Sequence, residues 1–305
     1  MMIRASSIAE LSLDKACVTI GSFDGVHAGH KRLIEKLKDS AEGIKAPAVV
    51  ITFFPHPAVV IKNLKTPYYL STQDEKTAQL EALGVDVLIT IPFTVELAAL
   101  SASEFMQLLF RHLGLRKLIV GPGFALGKGR FGTIEVLSGI GKDMGFDVLV
   151  MGPENFGDTI ISSSKIRQLI EAGDVQTAAQ FLGNYYSIQG FVVKGDARGH
   201  KIGFPTANLD IWQQKLLPAP GVYRCFTMLD GKPLLSVINI GYRPTFSNNS
   251  NRVFIEVHIL DFDGDLYGKE LQVQFTHRLR GEIKFPSFEE LIHQIQSDIQ
   301  AAREL

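Results

Sequence analysis

ACVTI-GSFDGVHAGH-KRLIEKL, residues 16–37, decides how the chain is read. Ala16 to Ile20 is an apolar run of the length of a buried strand. Lys31 to Leu37 has helical spacing, with Leu33 and Leu37 on one face. A strand therefore passes through glycines and an aspartate straight into a helix. Backbone N–H groups at such a helix start are unpaired and carry partial positive charge, which suits a phosphate. Glycines at 21, 25 and 29 let that backbone approach a polyphosphate closely. His27 and His30, three apart, point the same way from the first turn. Two imidazoles there can hold phosphate oxygens and stabilise charge that builds up in a transition state. A metal centre fits less well, because two histidines need further ligands and no adjacent Cys or His cluster supplies them.

Read as a motif, the stretch resembles the HxGH signature of the nucleotidyltransferase superfamily. In the longer form GSFDGVHxGH it is similar to the first module of the prokaryotic bifunctional riboflavin kinase/FAD synthetases. That resemblance implies ATP contacts at Gly21, Phe23, Asp24, Gly25, His27 and His30, with the two histidines catalytic.

Outward from this stretch, the chain runs to 305 residues, more than one core usually serves, so two domains are expected. Hydrophobic residues make up 46% and charged residues 21%, which fits a soluble globular protein. A net charge of −1 gives no basic field to recruit nucleic acid. Cys17 and Cys225 lie far apart and offer neither a disulfide framework nor a metal motif, which is compatible with a reducing cytoplasm. The N-terminal residues lack an apolar core of signal-peptide length, and no later run is long enough to span a membrane.

Over residues 1–183 strand-like runs alternate with helical patterns. Strands are expected at 48–53, 86–91, 118–120 and 147–151, and helices at 73–83, 101–113 and 174–182. Gly84 stands where a C-cap glycine belongs, and Ser101 to Glu104 reads as a capping box. The alternation predicts a parallel, Rossmann-like sheet with helices on both faces, whose ligands bind beyond the carboxyl ends of the strands. The Gly21–His30 turn and the loop 121–132, GPGFALGKGRFG, both leave such ends. The loop's glycines predict mobility, and Lys128 and Arg130 offer cations to phosphates. The family pattern at this loop resembles Gly-x-Asp/Asn-Phe-x-Phe-Gly. It implies a flavin contact at Phe124, but Gly123 and Leu126 depart from it. Residues 161–167, ISSSKIR, combine capping hydroxyls with Lys165 and Arg167 at another helix start. They resemble the ISSTxIR motif of the nucleotidyltransferases, which implies ATP contacts at Ser163, Ser164 and Arg167.

From residue 184 to 305 the pattern changes. Strand runs at 187–193, 222–229, 235–240, 253–260 and 270–276 follow closely, with hairpin signals at Asp230-Gly231 and Asp263-Gly264. Closely spaced strands predict a small antiparallel barrel. A final helix from about Ser287 to Ala302 is expected to bury Phe288, Leu291, Ile292, Ile295 and Ile299. Residues 195–208, GDARGHKIGFPTAN, lack the Walker spacing. Glycines 195, 199 and 203 allow backbone amides to wrap phosphates. Thr206 and Asn208 alternate on an extended segment, and their oxygens are hard ligands suited to Mg²⁺ carrying ATP. Glu256 shares a strand face with Phe254 and His258, where a carboxylate can accept a proton from an alcohol attacking a γ-phosphate.

The stretch 203–208 resembles the GFPTAN motif of riboflavin kinases. The resemblance implies ATP contacts at Gly195, Gly199, Lys201, Gly203, Pro205, Thr206 and Asn208, and a catalytic base at Glu256. Residues 278–285 are similar to the family's RxRxExxF segment near the flavin, which implies contacts at Arg278, Arg280, Glu282 and Phe285. Residues 239–246 also match the family and are expected to form a loop over the substrate. The implied activity is twofold: riboflavin to FMN in the second domain, and FMN to FAD with release of pyrophosphate in the first. A monofunctional kinase with a decayed first half is the alternative that Gly123 raises. The implied partners are riboflavin, FMN and MgATP.

Overall fold

The computed structural model describes residues 1–195, 203–243 and 252–305. The chain divides into two compact units, Met1–Ser163 and Ser164–Leu305.

The first unit holds a six-stranded sheet in the order β1-β4-β3-β2-β5-β6, with every pair parallel. Its strands are β1 (Ile3–Ala5), β2 (Ala16–Ile20), β3 (Ala48–Phe54), β4 (Val87–Pro92), β5 (Leu115–Val120) and β6 (Asp147–Val150). Helices α1 (Ala28–Gly43), α2 (Pro57–Ile61), α3 (Gln73–Ala82), α4 (Val95–Ala99), α5 (Ala102–Leu113) and α6 (Ile134–Met144) connect them, and a short hairpin pairs β7 (Asn155–Phe156) with β8 (Thr159–Ile160). One core gathers Val18, Ile20, Val49 and Ile51 against Phe105, Met106 and Leu109 of α5. The other gathers Cys17 and Val50 against Leu33, Ile34 and Leu37 of α1 and Leu80 of α3. Both faces of β2 and β3 are therefore covered, which is why those strands read as unbroken apolar runs. The chain walks from β2 to β3 and β4, then returns to set β5 on the other side of β2. The reversal makes the carboxyl end of β2 the switch point where such sheets take ligands, and the Gly21–His30 turn leaves from it.

The second unit opens with α7, whose full range is Ser163–Ala172, and α8 (Val175–Leu182). A closed antiparallel barrel follows in the order β10-β13-β12-β11-β14-β9. Its strands are β9 (Ser187–Val193), β10 (Ala207–Ile211), β11 (Gly221–Leu229), β12 (Lys232–Arg243), β13 (Arg252–Ile259) and β14 (Glu270–Arg280), and α9 (Phe288–Glu304) ends the chain. Asp230 and Gly231 both take positive φ, 50° and 77°, which is the geometry of a two-residue hairpin turn between β11 and β12.

Three expectations are corrected. Asp263-Gly264 closes no hairpin: β13 borders β10 and β12, whereas β14 borders β9 and β11, so this connection links strands that are not neighbours. Residues 239–243 belong to β12 rather than to a loop, and 244–246 lie outside the described residues. Phe288 is 66% exposed instead of buried. The buried positions of α9, Asp298 and Ala302, lie in its C-terminal half, where Arg280 pairs with Asp298 and Arg224 donates to the Ala302 carbonyl.

Candidate functional site

The turn after β2 is built from residues that glycine-like geometry demands. Phe23, Gly25 and Val26 all have positive φ, at 48°, 85° and 38°. Such conformations cost of order 1–3 kcal/mol at a non-glycine residue and persist only where neighbours enforce them. Here Phe23 and Val26 are fully buried in the core. The Asp24 carboxylate accepts the N–H groups of Leu70 and Ser71 at 3.1 Å, and Gly25 N–H donates to Ser71 Oγ at 3.2 Å. The side chains of Phe23 and Asp24 thus shape the turn.

His27 is the N-cap of α1, and its Nδ1 accepts the His30 N–H at 3.4 Å. Uncharged His27 therefore carries its proton on Nε2. The two imidazoles stack with centroids 3.7 Å apart and planes 19° apart. His30 Nδ1 is buried with no hydrogen-bond partner. Burial first, and then the neighbouring His27 and Lys76, push the His30 pKa well below the usual imidazole value. The second motif meets the first within this unit: Ser163 Oγ donates to the Asp24 carbonyl at 2.9 Å. Ser164 and Arg167 follow on α7, in the second unit, and Arg167 is buried.

The 121–132 loop is tied down, contrary to the mobility its glycines suggest. Leu126 and Gly132 exchange backbone hydrogen bonds at 3.1 and 3.0 Å, and Lys128 N–H reaches the Leu100 carbonyl at 2.8 Å. Gly127 is required because a Cβ there would meet the backbone at the start of α5. Phe124 packs half-buried against the core, and Arg130 donates to the Gly123 carbonyl at 3.1 Å. Gly123 itself takes φ 66° with open space about it.

In the barrel, strand register brings the polar candidates together. Asn208 on β10 stands directly opposite Glu256 on β13, and Glu256 stands opposite Asn239 on β12. Opposed residues point to one face, so amide, carboxylate and amide form a row across three strands. Ile255, Val257 and Ile259 alternate with the row and fill the core. Gly195 is glycine for a reason of space: a Cβ there would collide with the Asn208 amide. His258 Nδ1 donates to the Pro205 carbonyl at 2.7 Å, and its ring meets Phe204 edge-on, which fixes the entry to β10. Gly203 has φ 87°. Thr206 and Pro205 line a cavity of about 390 Å³ together with Phe262 to Tyr267. Gly199 and Lys201 lie outside the described residues.

The flavin candidates at 278–285 have defined partners. Arg278 donates to the carbonyls of Ala172 and Pro220, both at 3.1 Å. Arg280 grips Asp298 with two nitrogens, at 3.0 and 2.8 Å, and its guanidinium lies over the Phe285 ring. Both arginines thus brace the barrel against its helices. The Glu282 carboxylate lies over Gly241 beside Phe254, on the face that carries Glu256.

Two family models divide the chain: one described as FAD synthetase matches residues 10–165, and one described as riboflavin kinase matches residues 182–305. The bifunctional riboflavin kinase/FMN adenylyltransferase of Escherichia coli (strain K12) is 39% identical over 95% of this chain and 93% of its own length. The chain belongs to the bifunctional riboflavin kinase/FMN adenylyltransferase family. The member from Bacillus subtilis (strain 168) is 36% identical over 94% of this chain and 92% of its own. A crystal structure described as a macrolide-efflux protein from Streptococcus pneumoniae superposes with a TM-score of 0.91 at 28% identity, covering 100% of this chain and 99% of that one. Among the described residues no helix is long and apolar enough to cross a membrane.

Two residues beside the candidate sites escape motif reading. Asn239 becomes visible only through strand register. Lys76, 4% exposed, donates to the Ser22 carbonyl at 3.3 Å and to Thr52 Oγ1 at 3.2 Å beneath the turn. Its signal was available: it lies four residues before Leu80, on the buried face of α3.

Proposed function

We propose that the chain makes FMN and then FAD, one step in each unit, with the following residues in the stated roles. In the barrel, Glu256 accepts the proton of the riboflavin 5′-hydroxyl as its oxygen attacks the γ-phosphorus of ATP and ADP leaves. Thr206 and Asn208 would hold Mg²⁺. The donor set fits: a hydroxyl and an amide oxygen beside a carboxylate are hard oxygen ligands, few enough to suit an ion that arrives on ATP. When bound, the ion would offset charge on the phosphates. Gly195, Gly199, Lys201, Gly203 and Pro205 would frame the nucleotide, and Glu282 with Phe285 would border the flavin, braced by Arg278 and Arg280.

In the first unit, a phosphate oxygen of FMN attacks the α-phosphorus of ATP and pyrophosphate leaves. No protein nucleophile is needed, so positioning and charge stabilisation suffice. Gly21, Gly25, His27 and His30 would hold the triphosphate, with Ser163 adding a donor and Phe124 an apolar wall for the flavin. The partners are small molecules, and the two buried free thiols suit the cytoplasm.

The row Asn208–Glu256–Asn239 carries the kinase assignment, because it sets a carboxylate between two amides on one face. The test is incubation with riboflavin and MgATP, resolving FMN from FAD by chromatography. Both should appear; absence of FMN ends the kinase assignment, and FMN without FAD leaves a monofunctional kinase. Glu256→Gln should slow FMN formation by about 10²–10⁴-fold while FAD formation from supplied FMN persists.

A further inference from the structure

Lys76 belongs to no motif, yet it lies under the transfer site. Its Nζ, the Thr52 hydroxyl and the Ser22 carbonyl close a three-membered ring of hydrogen bonds, since Thr52 Oγ1 also donates to Ser22 O at 3.0 Å. The ring joins α3, β3 and the first residues of the Gly21–His30 turn. Neither acceptor needs a full charge, and Thr52 alone already satisfies the Ser22 carbonyl. A buried ammonium costs far more than a neutral side chain in that place. The charge itself therefore calls for a use.

We propose that Lys76 is a positioning residue of the adenylyl-transfer site: its buried ammonium pins the phosphate-side turn and keeps the His27–His30 pair uncharged until a polyphosphate arrives. The inference rests on the transfer reading above and deepens it. The stacked rings are close enough that a proton on one repels a proton on the other. A proton on His27 Nδ1 would also break the cap that starts α1. His30 Nδ1 is buried without a partner, and Lys76 adds a positive centre beside it. The groups facing Lys76 are Asp24 from the turn and His30 from α1, with Tyr69 beyond Asp24. Asp24 favours the ammonium but keeps its carboxylate on the N–H groups of residues 70 and 71. An ATP tail reverses the balance by drawing protons to the imidazoles. Positive charge then grows where the transition state becomes negative, and it is absent from the empty site.

The experiment uses full-length wild type and Lys76→Met. FAD formation from FMN and MgATP is followed from about pH 5 to about pH 9.5, bracketing the histidine and lysine ranges, and histidine ring resonances are titrated by NMR on the same samples. Lys76→Met should lose at least about tenfold in kcat, shift its acid limb to higher pH, and raise the pH at which His30 gains its proton. Lys76→Arg should restore the acid limb, because the cation returns. An acid limb and a His30 titration unmoved in Lys76→Met overturn the proposal even if the rate falls, since packing damage alone lowers rate without moving protons. Should Lys76→Met fail to fold, wild type decides: its FAD formation must fall as the pH passes about 8, where the ammonium titrates, and a rate flat to about pH 9.5 overturns the proposal. The NMR titration needs no turnover, so it separates a wrong account of Lys76 from a protein that makes no FAD.

Discussion

Gly195 shows how one missing atom can set the place of a side-chain amide. The Asn208 amide occupies the place where any other residue at 195 would carry its Cβ. Gly195→Ala must push that amide out of the row with Glu256 and Asn239. The expected result is a loss of riboflavin phosphorylation of at least about tenfold, since small misplacements of positioning groups are costly, with FAD formation from FMN unaffected. Assay of both activities on one sample checks it. His30 makes a second prediction through its proton. Its folded-state pKa lies below the ordinary value of 6.5, mainly through burial. The unfolded chain therefore binds the proton first as the pH falls. Stability from this group is complete above about pH 6.5 and drains away toward the folded-state pKa. Thermal melts should show the first unit weakening from about pH 7 to about pH 5, and weakening less in His30→Asn. Lys76 works at the opposite end. Its shift from 10.5 to about 8 corresponds to roughly 3 kcal/mol at about 1.36 kcal/mol per unit. That cost is present in full at neutral pH, where both states hold the proton, and stability rises as the native state releases it first.

Elements were legible where chemistry and period act locally. The apolar run 16–20, the spacing of Leu33 and Leu37, the capping box at Ser101 and Glu104, and the Asp230-Gly231 turn each depend on residues a few positions apart, and each forms as read. The short pieces β1, α2, α4 and the β7–β8 hairpin have too few residues to show a period. What could not be read were partners distant in sequence. Asp24 bonds residues 70–71 and Lys76 bonds Ser22, partners about 46 and 54 positions away that no local pattern shows. The pairing of Arg280 with Asp298 likewise forms only when α9 folds back onto β14. The loop 121–132 reads as mobile because glycines permit motion, whereas Gly127 is there so that the backbone can pass close to α5. Barrel closure likewise decides which strands become neighbours, so Asp263-Gly264 has hairpin chemistry without a hairpin.

At the scale of the whole molecule, sequence and packing draw the domain boundary at different places. The change of pattern falls near residue 183, the family matches leave 166–181 between them, and the compact units part after Ser163. Physical contacts explain the last position. The Ala219 N–H bonds the Ile170 carbonyl, Arg278 donates to the Ala172 carbonyl, and α8 packs on β14. Ile166, Ile170, Val175, Ala178 and Phe181 are all buried. A fragment of residues 184–305 would lose those contacts, leave Arg278 without one of its two acceptors, and expose the barrel surface that α8 covers. A fragment of residues 164–305 keeps them. Burying one large apolar side chain contributes about 1.5–3 kcal/mol, so removing two helices that bury several is comparable to the 5–15 kcal/mol by which domains are typically stable. The longer fragment should therefore melt cooperatively and phosphorylate riboflavin, and the shorter one should be unfolded or melt far lower. Calorimetry and an FMN assay on the two fragments decide it. Equal melting temperatures would show that α7 and α8 contribute nothing to the barrel.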